Sequence, residues 1–408
     1  MHLNRRHLLL ASLPAALLSP RARAAGAPPK RWVVVLLRGA IDGLSVCAPY
    51  AEPSYAQERP SIALPPPGTE GGLIDLDGRF GLHPALGALQ PLWAAGQLGF
   101  VQACGAPTSS RSHFEAQDEL EAGTPGIKTT PDGWLSRLMA DQASGVQAVY
   151  TAATRPKLLS GAASARAAAL PGAQRAPERP ALGAALDRLY AQDPRYAATW
   201  QAAQTGRAQM ASALETGQSM SGAGMDPRAD PTADRGAPGA NTLPATARRL
   251  AQVLRADPGL RFACVELGGW DTHARQGAAQ GQLAGRLAPL GRGLATLAQE
   301  LGPLWADTVV TVISEFGRTV AENGTGGTDH GHGNALWLLG GAVQGGRVLG
   351  EWPGLEPAAR FQGRDLAVST DYRAVLAGVA ARHLRLGDAA LTQLFPGFGG
   401  RPLNVVRP

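Results

Sequence analysis

Residues 327–333, GTDHGHG, place Asp329, His330 and His332 within four positions of a glycine-rich stretch, in a chain that has eight histidines in all. Carboxylate oxygens and imidazole nitrogens are the groups with which proteins bind divalent metals such as zinc and manganese. A glycine-rich backbone can bring several such groups onto one ion. The alternative is a polar turn in which Asp329 bonds its own backbone. Three ligand types in four positions favour a metal site.

Side chains with related chemistry follow apolar runs elsewhere in the chain. They comprise carboxylates and an imidazole for metal binding, a hydroxyl that could act as a nucleophile, and a guanidinium that could stabilise developing negative charge. These residues are Asp42, Ser112, Asp271, His273, Glu315 and Arg318. Most have a structural alternative when taken singly. Asp42 fits a common turn pattern, Asp271 could cap a helix, and Glu315 could pair with Arg318.

Five short apolar runs precede or follow these residues and predict buried strands. The runs cover residues 32–37, 97–105, 261–269, 307–316 and 335–341. They are continuous rather than alternating, which is typical of strands buried on both faces. Leucines at three- and four-residue intervals predict an amphipathic helix over 281–305. The pattern predicts an α/β fold with a doubly wound, mostly parallel sheet flanked by helices.

The carboxyl ends of parallel strands meet at one edge of a sheet, where ligands bind. The candidate residues are therefore expected to converge there. Several carboxylates in one site raise one another's pKa values, so bound cations are expected among them. Two divalent ions, drawn from Zn²⁺, Mn²⁺, Mg²⁺ or Ca²⁺, would relieve that repulsion and could hold the attacking and leaving oxygens of a phosphoryl or sulfuryl transfer.

Ser112 precedes the predicted helical run HFEAQDELEAG, and its hydroxyl is therefore expected near a helix N-terminus, where backbone N–H groups favour an anion. A nucleophilic serine would suit this place, with Arg318 stabilising the transition-state oxygens. The alternative is a helix cap completed by Glu115. His83 and His383 are expected to have structural roles.

Residues 1–24 have the order of an export signal: Arg5 and Arg6, a short apolar run, and the sequence Ala-Arg-Ala at 22–24. The paired arginines predict transport by the twin-arginine translocase to the periplasm or beyond. The apolar run is too short for a permanent transmembrane anchor. Cleavage after Ala24 would remove four arginines and no acidic residue, lowering the formal net charge from +6 to +2. No basic, aromatic-rich surface for nucleic acid is then expected.

The remainder, residues 25–408, is expected to form a single domain. Within it, residues 130–204 are rich in alanine and predict a mostly helical insertion. Residues 205–244 are rich in Gly, Ala, Ser, Asp and Pro, a composition that buries little apolar surface and predicts a flexible segment.

The stretches LLRGAIDGL, SRSHFEAQDELEAG, GGWDTH, VVTVISEFGRT and GGTDHGHGNALWLLGGAVQGG, in this order, resemble the hallmark stretches of the DUF1501 family of exported bacterial proteins. That family resembles in turn the alkaline phosphatase and sulfatase superfamily. The resemblance implies one cation at Asp42, Ser112 and Glu315, and a second at Asp271, His273 and His330 or His332. One departure is Phe316, which stands where the superfamily usually has a histidine, and the sulfatase signature is missing after Cys104.

Together these features predict an exported, metal-dependent hydrolase that acts on phosphate or sulfate esters of a small molecule or a polymer. A non-catalytic binding or assembly protein for a cell-envelope partner on the same fold is the competing hypothesis. A metal-free serine hydrolase is disfavoured, because there is no G-x-S-x-G motif and His113 is expected to point away from Ser112 on its helix.

Overall fold

The computed structural model describes residues 29–140, 145–170, 230 and 232–407. The strands in these ranges are β1 (Arg31–Leu37), β2 (Cys47–Ala48), β3 (Ile74–Asp75), β4 (Gly81–Leu82), β5 (Leu98–Gly105), β6 (Ala148–Tyr150), β7 (Ala167–Ala169), β8 (Phe262–Leu267), β9 (Thr308–Ser314), β10 (Asn334–Leu339), β11 (Arg347–Leu349) and β12 (Thr370–Asp371). The α-helices are α1 (Gly43–Val46), α2 (Pro53–Glu58), α3 (Gln90–Ala94), α4 (His113–Ala122), α5 (Trp134–Ala140), α6 (Leu243–Ala256), α7 (Gln282–Leu301), α8 (Tyr372–His383) and α9 (Asp388–Leu394).

A large sheet runs through the described part of the chain, with the strand order β11, β5, β10, β9, β1, β8, β6 and β7, and with β12 also paired to β5. Neighbouring strands are parallel except where β10 pairs with β5 and with β9. Strands β2, β4 and β3 form a small separate antiparallel sheet. The predicted mostly parallel α/β fold is confirmed, and all five predicted strands are present.

The reversal of β10 matters for the site. Leu37 at the end of β1 is in register with Leu267 at the end of β8 and with Ser314 at the end of β9. Asn334, the first residue of β10, pairs with Cys104 near the end of β5. The loop that precedes β10 therefore reaches the same edge of the sheet as the loops that follow β1, β5, β8 and β9.

Both faces of the sheet are covered, which explains the continuous apolar runs. Val33 and Val35 of β1 face one core cluster, which includes buried residues of α6 and α7. Trp32 and Val34 face a second cluster, which includes buried residues of α5 and α8. A strand packed on both sides needs apolar residues at every position.

Helix α7 follows the predicted leucine spacing. Its buried leucines are Leu283, Leu287, Leu290, Leu294, Leu297 and Leu301. Gly293 lies where α7 packs on α6, and a Cβ added there would come within 2.4 Å of the Leu243 side chain, so the close approach requires glycine. The predicted helix over 281–305 is confirmed, with its last turn taken up by the 3₁₀ segment Gly302–Asp307.

The segment 130–204, expected to be mostly helical, differs in its described part. Helix α5 is present, but β6 and β7 extend the main sheet through the pairing of β6 with β8. Here strand pairing overrides the helical preference of alanine. Residues 171–204, the expected export signal at 1–24 and most of 205–244 lie outside the described residues. Across the ranges that are described, every helix is too short or too polar to cross a membrane.

Candidate metal centre

One face of α4 carries three buried polar side chains at four-residue spacing, His113, Gln117 and Glu121. Such residues lie on one side of a helix. His113 Nδ1 is 2.8 Å from Glu315 Oε1, and Gln117 Nε2 donates to the same oxygen at 2.9 Å. Arg38 donates to Gln117 at 2.8 Å and to Glu121 at 2.9 Å. This stripe therefore fixes both Glu315 and the His113 ring.

The loop after β8 supplies Asp271 and His273. Asp271 is buried, and its Oδ1 lies 2.9 Å from His273 Nε2 and 2.5 Å from a nitrogen of Arg318. Burial alone would raise the pKa of Asp271. The neighbouring imidazoles of His113, His273 and His330, together with the positive charge of Arg318, outweigh burial and hold that pKa well below its usual range.

The loop before β10 supplies His330 and Asp329. His330 Nε2 is 3.2 Å from Asp271 Oδ1, 3.0 Å from His113 Nε2 and 3.0 Å from His273 Nε2. Asp329 Oδ1 is 3.3 Å from His273 Nδ1. Four of the predicted site residues from two distant loops thus meet at one point, as the strand topology requires.

The second nitrogen of each imidazole determines which atom faces the cluster. Nδ1 of His113 meets the Glu315 carboxylate, Nδ1 of His273 meets the Asp329 carboxylate, and Nδ1 of His330 lies 2.9 Å from the carbonyl oxygen of Arg111. Carboxylate and carbonyl oxygens only accept hydrogen bonds, so each Nδ1 carries the hydrogen. In its neutral form each ring therefore presents a hydrogen-free Nε2 to the cluster.

These Nε2 atoms and Asp271 Oδ1 form a compact donor set. The ligand atoms of His113, Asp271 and His330 all lie within 4.8 Å of one another, and the His113 to Asp271 distance is 3.6 Å. A tetrahedral zinc with bonds of about 2.1 Å would space its ligands about 3.4 Å apart. Without a cation or shared protons, the lone pairs would repel. A nitrogen-rich set with one carboxylate fits Zn²⁺ or Mn²⁺ better than Mg²⁺ or Ca²⁺.

The charges of the cluster are strongly coupled. Burial disfavours the charged form of His113, but hydrogen bonds and charges from Asp271 and Glu315 raise its pKa to about 9. Burial would likewise raise the pKa of Glu315, but its contacts with His113 and Gln117 lower it to about 2. In the absence of a metal the cluster therefore retains a proton on His113, which a bound cation would displace.

Arg318 lies inside the fold, with 1% of its surface exposed. Its guanidinium donates to Asp271 and to backbone carbonyls, including those of Gly39, Ala40 and Thr328. These contacts anchor Asp271 and hold the guanidinium of Arg318 where it cannot reach a substrate. Its role at transition-state oxygens stays a prediction. Ser112, by contrast, is exposed at the start of α4, and its side chain makes no capping hydrogen bond.

The side chains of Asp42 and His332 bond to residues other than those of the imidazole cluster. Asp42 is completely buried and forms an ion pair with Arg59 at 2.6 Å. His332 Nε2 lies 3.1 Å from the carbonyl oxygens of Ala106 and Thr108, so it holds the segment between β5 and α4. The metal-ligand roles expected for Asp42 and His332 stay predictions, and no contact with the cluster supports them.

Two partly exposed guanidiniums flank His330. Arg364 donates to the His330 carbonyl oxygen at 2.6 Å, and the carbonyl of Arg111 accepts from the His330 ring. Both guanidiniums are tied to the fully buried carboxylate of Asp365. The two positive charges share the negative charge of Asp365, and the exposed carboxylate of Asp329 also lies within the influence of Arg364. An open cleft of about 390 Å³ adjoins the cluster, lined in part by His273 and Asp329.

His113 is the central residue that the sequence reasoning missed. It follows the candidate nucleophile directly and was expected to point away from it, and the structure does place it inside while Ser112 is outside. The available signal was the four-residue spacing of His113, Gln117 and Glu121 along α4. Phe316 also contributes, since its ring stacks on His113 with centroids 5.0 Å apart.

Three comparisons with known proteins bear on the chain. The model of the family described as "Protein of unknown function (DUF1501)" matches residues 29–395. A search of curated proteins finds no match. Among solved structures, the chain is similar to a protein in the alkaline phosphatase superfamily from Vibrio parahaemolyticus, with 10% identity and a TM-score of 0.36. The similarity covers 79% of this chain and 63% of that one, so the chain spans less than two thirds of that protein's length.

Two further solved structures are similar at comparably low sequence identity and TM-score. One is Ps i-CgsB in complex with k-i-k-neocarrahexaose, with 11% identity, a TM-score of 0.38, and coverage of 90% of this chain and 74% of that one. The other is a mutant of TAB5 alkaline phosphatase with Mg bound, with 10% identity, a TM-score of 0.32, and coverage of 77% of this chain and 91% of that one.

Proposed function

The chain belongs to the DUF1501 family, and we propose that it is a divalent-metal-dependent hydrolase of phosphate or sulfate esters. The observation that carries the proposal is the convergence of three imidazole Nε2 atoms on one oxygen of Asp271, while each Nδ1 hydrogen is held by an acceptor. A site that fixes both the direction and the tautomer of its histidines is arranged to receive a cation.

His113, Asp271 and His330 would hold the cation, with His273 beside them. When bound, a divalent ion polarises an ester oxygen and offsets the negative charge of a transferring phosphoryl or sulfuryl group. The protein's own contribution is orientation. Glu315 and Asp329 keep the imidazoles in place, and Arg318, from the loop after β9, holds Asp271 in place.

The rim of the site favours an anionic substrate. Arg111 and Arg364 each have their guanidinium partly exposed, at 30% and 45% of the side chain, and both are fixed by Asp365. Planar guanidiniums with free N–H groups bind phosphate and sulfate oxygens well. Held together by Asp365 beside the loop that contains His330, they would orient the anionic group of an ester toward the cluster.

Ser112 is the proposed nucleophile, because its side chain is exposed and makes no capping bond, and because it directly precedes His113 in the chain. Its oxygen would form the new bond to phosphorus or sulfur while the bond to the ester oxygen breaks, and the proton lost by the serine hydroxyl would end on the departing ester oxygen. Water would then displace the serine oxygen and return a proton to it. Replacing Ser112 by Ala tests this step. We expect loss of turnover with metal content retained.

Elemental analysis of the purified exported protein, followed by assays with 4-nitrophenyl phosphate and 4-nitrophenyl sulfate, tests the proposal as a whole. The wild type should retain a stoichiometric metal, and His330→Ala should lose it. His383→Gln is the matched control, because His383 bonds the Arg31 carbonyl far along the chain from the cluster. A wild-type protein that neither holds Zn, Mn, Mg or Ca nor hydrolyses either ester when supplied with them would refute it.

The competing function is binding or assembly of a cell-envelope partner without catalysis. The packing of Phe316 against His113 and His330 favours this view, because an apolar ring occupies one side of the cluster. A deletion strain can be complemented with either the wild type or the Ser112→Ala variant. Equal complementation by both would support the binding function over the enzymatic one.

Export through the twin-arginine translocase to the periplasm is part of the proposal, based on Arg5, Arg6 and the sequence at 22–24. Replacing both arginines by Lys should leave the protein in the cytoplasm. Cell fractionation with the unchanged signal as control measures this. Equal periplasmic amounts of both would show that another route is used.

A further inference from the structure

We infer that the centre takes one divalent cation per chain, and that the guanidinium of Arg59 stands in for a second cation beside Asp42. The inference rests on the proposed function, since it concerns the number of ions at the same sheet edge. It departs from the two-ion centre that resemblance to the alkaline phosphatase superfamily implies.

The carboxylate of Asp42 accepts four hydrogen bonds from buried partners. Its Oδ2 accepts from Arg59 at 2.6 Å, from the Ser45 hydroxyl at 2.6 Å and from Gln276 Nε2 at 2.7 Å. Its Oδ1 accepts from the other terminal nitrogen of Arg59 at 3.1 Å. A carboxylate has about four acceptor positions, two on each oxygen. The contacts fill Oδ2, and the position left on Oδ1 belongs to a fully buried side chain.

Arg59 is equally committed. Beyond its bonds to Asp42, it donates to the carbonyl oxygens of Val320 and Thr319, each at 2.8 Å, and to the Ser45 hydroxyl at 3.2 Å. A guanidinium has five N–H groups, and all five have acceptors here. Neither Asp42 nor Arg59 has an exposed side chain. The guanidinium of Arg59 is therefore fixed inside the fold and cannot move away to make room for an ion.

The other residue expected to share an ion with Asp42 is also engaged elsewhere. Glu315 Oε1 accepts from the Gly39 backbone N–H at 2.8 Å and from Gln117, and it meets His113 Nδ1. Its Oε2 accepts from the Ser314 hydroxyl at 2.9 Å. Glu315 thus supports a ligand of the first ion instead of holding a second one.

Metal stoichiometry tests the inference directly. Protein stripped with chelator is titrated with Zn²⁺ or Mn²⁺ alone, and bound metal is measured after dialysis. We expect one ion per chain in the wild type and still one in the double variant Asp42→Asn with Arg59→Met. The double variant removes both buried charges together, which avoids stranding either one. Asp271→Asn serves as the variant expected to bind none.

Electron paramagnetic resonance of the Mn²⁺-loaded wild type gives a second readout that needs no variant. A single site gives the hyperfine pattern of isolated ions, whereas two ions about 4 Å apart would be exchange-coupled. Two ions in the wild type, or a coupled spectrum, would overturn this inference and leave the proposed hydrolase standing. A wild type that binds no ion would overturn both.

Discussion

Nδ1 of His113 lies 2.8 Å from Oε1 of Glu315, so the carboxylate at the end of β9 orients an imidazole from helix α4. The two residues are separated by 202 positions in the chain. A carboxylate in this place fixes the ring and raises the basicity of its other nitrogen. Glu315 would therefore influence a bound metal without contacting it.

Replacing Glu315 by Gln should lower metal affinity by about 10- to 100-fold, the usual effect of losing an orienting carboxylate. Competition with a chromophoric chelator measures the affinity. The control is Glu322→Gln, since Glu322 accepts from the Ser61 and Ile62 backbone near the surface. If the variant bound fewer ions per chain at saturating metal, rather than binding the same number more weakly, Glu315 itself would be a ligand.

Replacing Arg318 by Met should destabilise the protein by about 3 to 5 kcal/mol, because it leaves the buried charge of Asp271 without its guanidinium partner. Urea unfolding of metal-free protein measures the difference. Saturating Zn²⁺ should raise the urea midpoint of both proteins, since a cation that binds only the folded state stabilises it. An unchanged urea midpoint in the metal-free variant would show that the pair contributes nothing to folding.

Replacing Arg364 by Met should raise KM for 4-nitrophenyl phosphate about tenfold, as expected for one lost charge-assisted hydrogen bond. Metal content should not change, because the Arg364 guanidinium donates to the carbonyl oxygen of His330 and to the carboxylate of Asp365 and not to an atom of the proposed donor set. Arg382→Met on α8 is the control for loss of an exposed arginine. Identical KM values for the two variants would remove Arg364 from the substrate site.

His83 should make stability depend on pH between about 4 and 6.5. Burial lowers its pKa from 6.5 to about 4, and its Nδ1 accepts the Ala85 N–H while Nε2 meets the Ala278 carbonyl oxygen. In that window the unfolded chain binds a proton that the folded protein does not. The free energy of unfolding therefore rises with pH there, by at most about 1.4 kcal/mol per unit from this residue.

His83→Asn tests this dependence, because Asn can still accept the Ala85 N–H but does not titrate. Urea unfolding in chelator at several pH values should give a shallower slope for the variant. Other groups titrate in both proteins, so the difference in slope isolates His83. Parallel pH profiles would contradict the expected role.

The sheet could be predicted from sequence because continuous runs such as residues 32–37 have no other stable place than a doubly covered sheet. The meeting of Asp271, His273, Glu315 and His330 followed from that topology. The individual side-chain pairings could not be predicted in this way. Nothing in the local sequence around Asp42 shows that Arg59 would reach it, since long side chains find partners only after the fold has formed. The same holds for His113, whose partner Glu315 comes from a distant strand.

The antiparallel strand β10 determines the stage of folding at which the candidate metal centre can form. Nε2 of His113 and of His330 belong to residues 217 positions apart, and they meet only once β10 has inserted between β5 and β9. Contacts of such long range form late and slowly during folding. Capture of an ion would therefore report the completion of the sheet, and a partly folded chain would release its metal to any competing chelator.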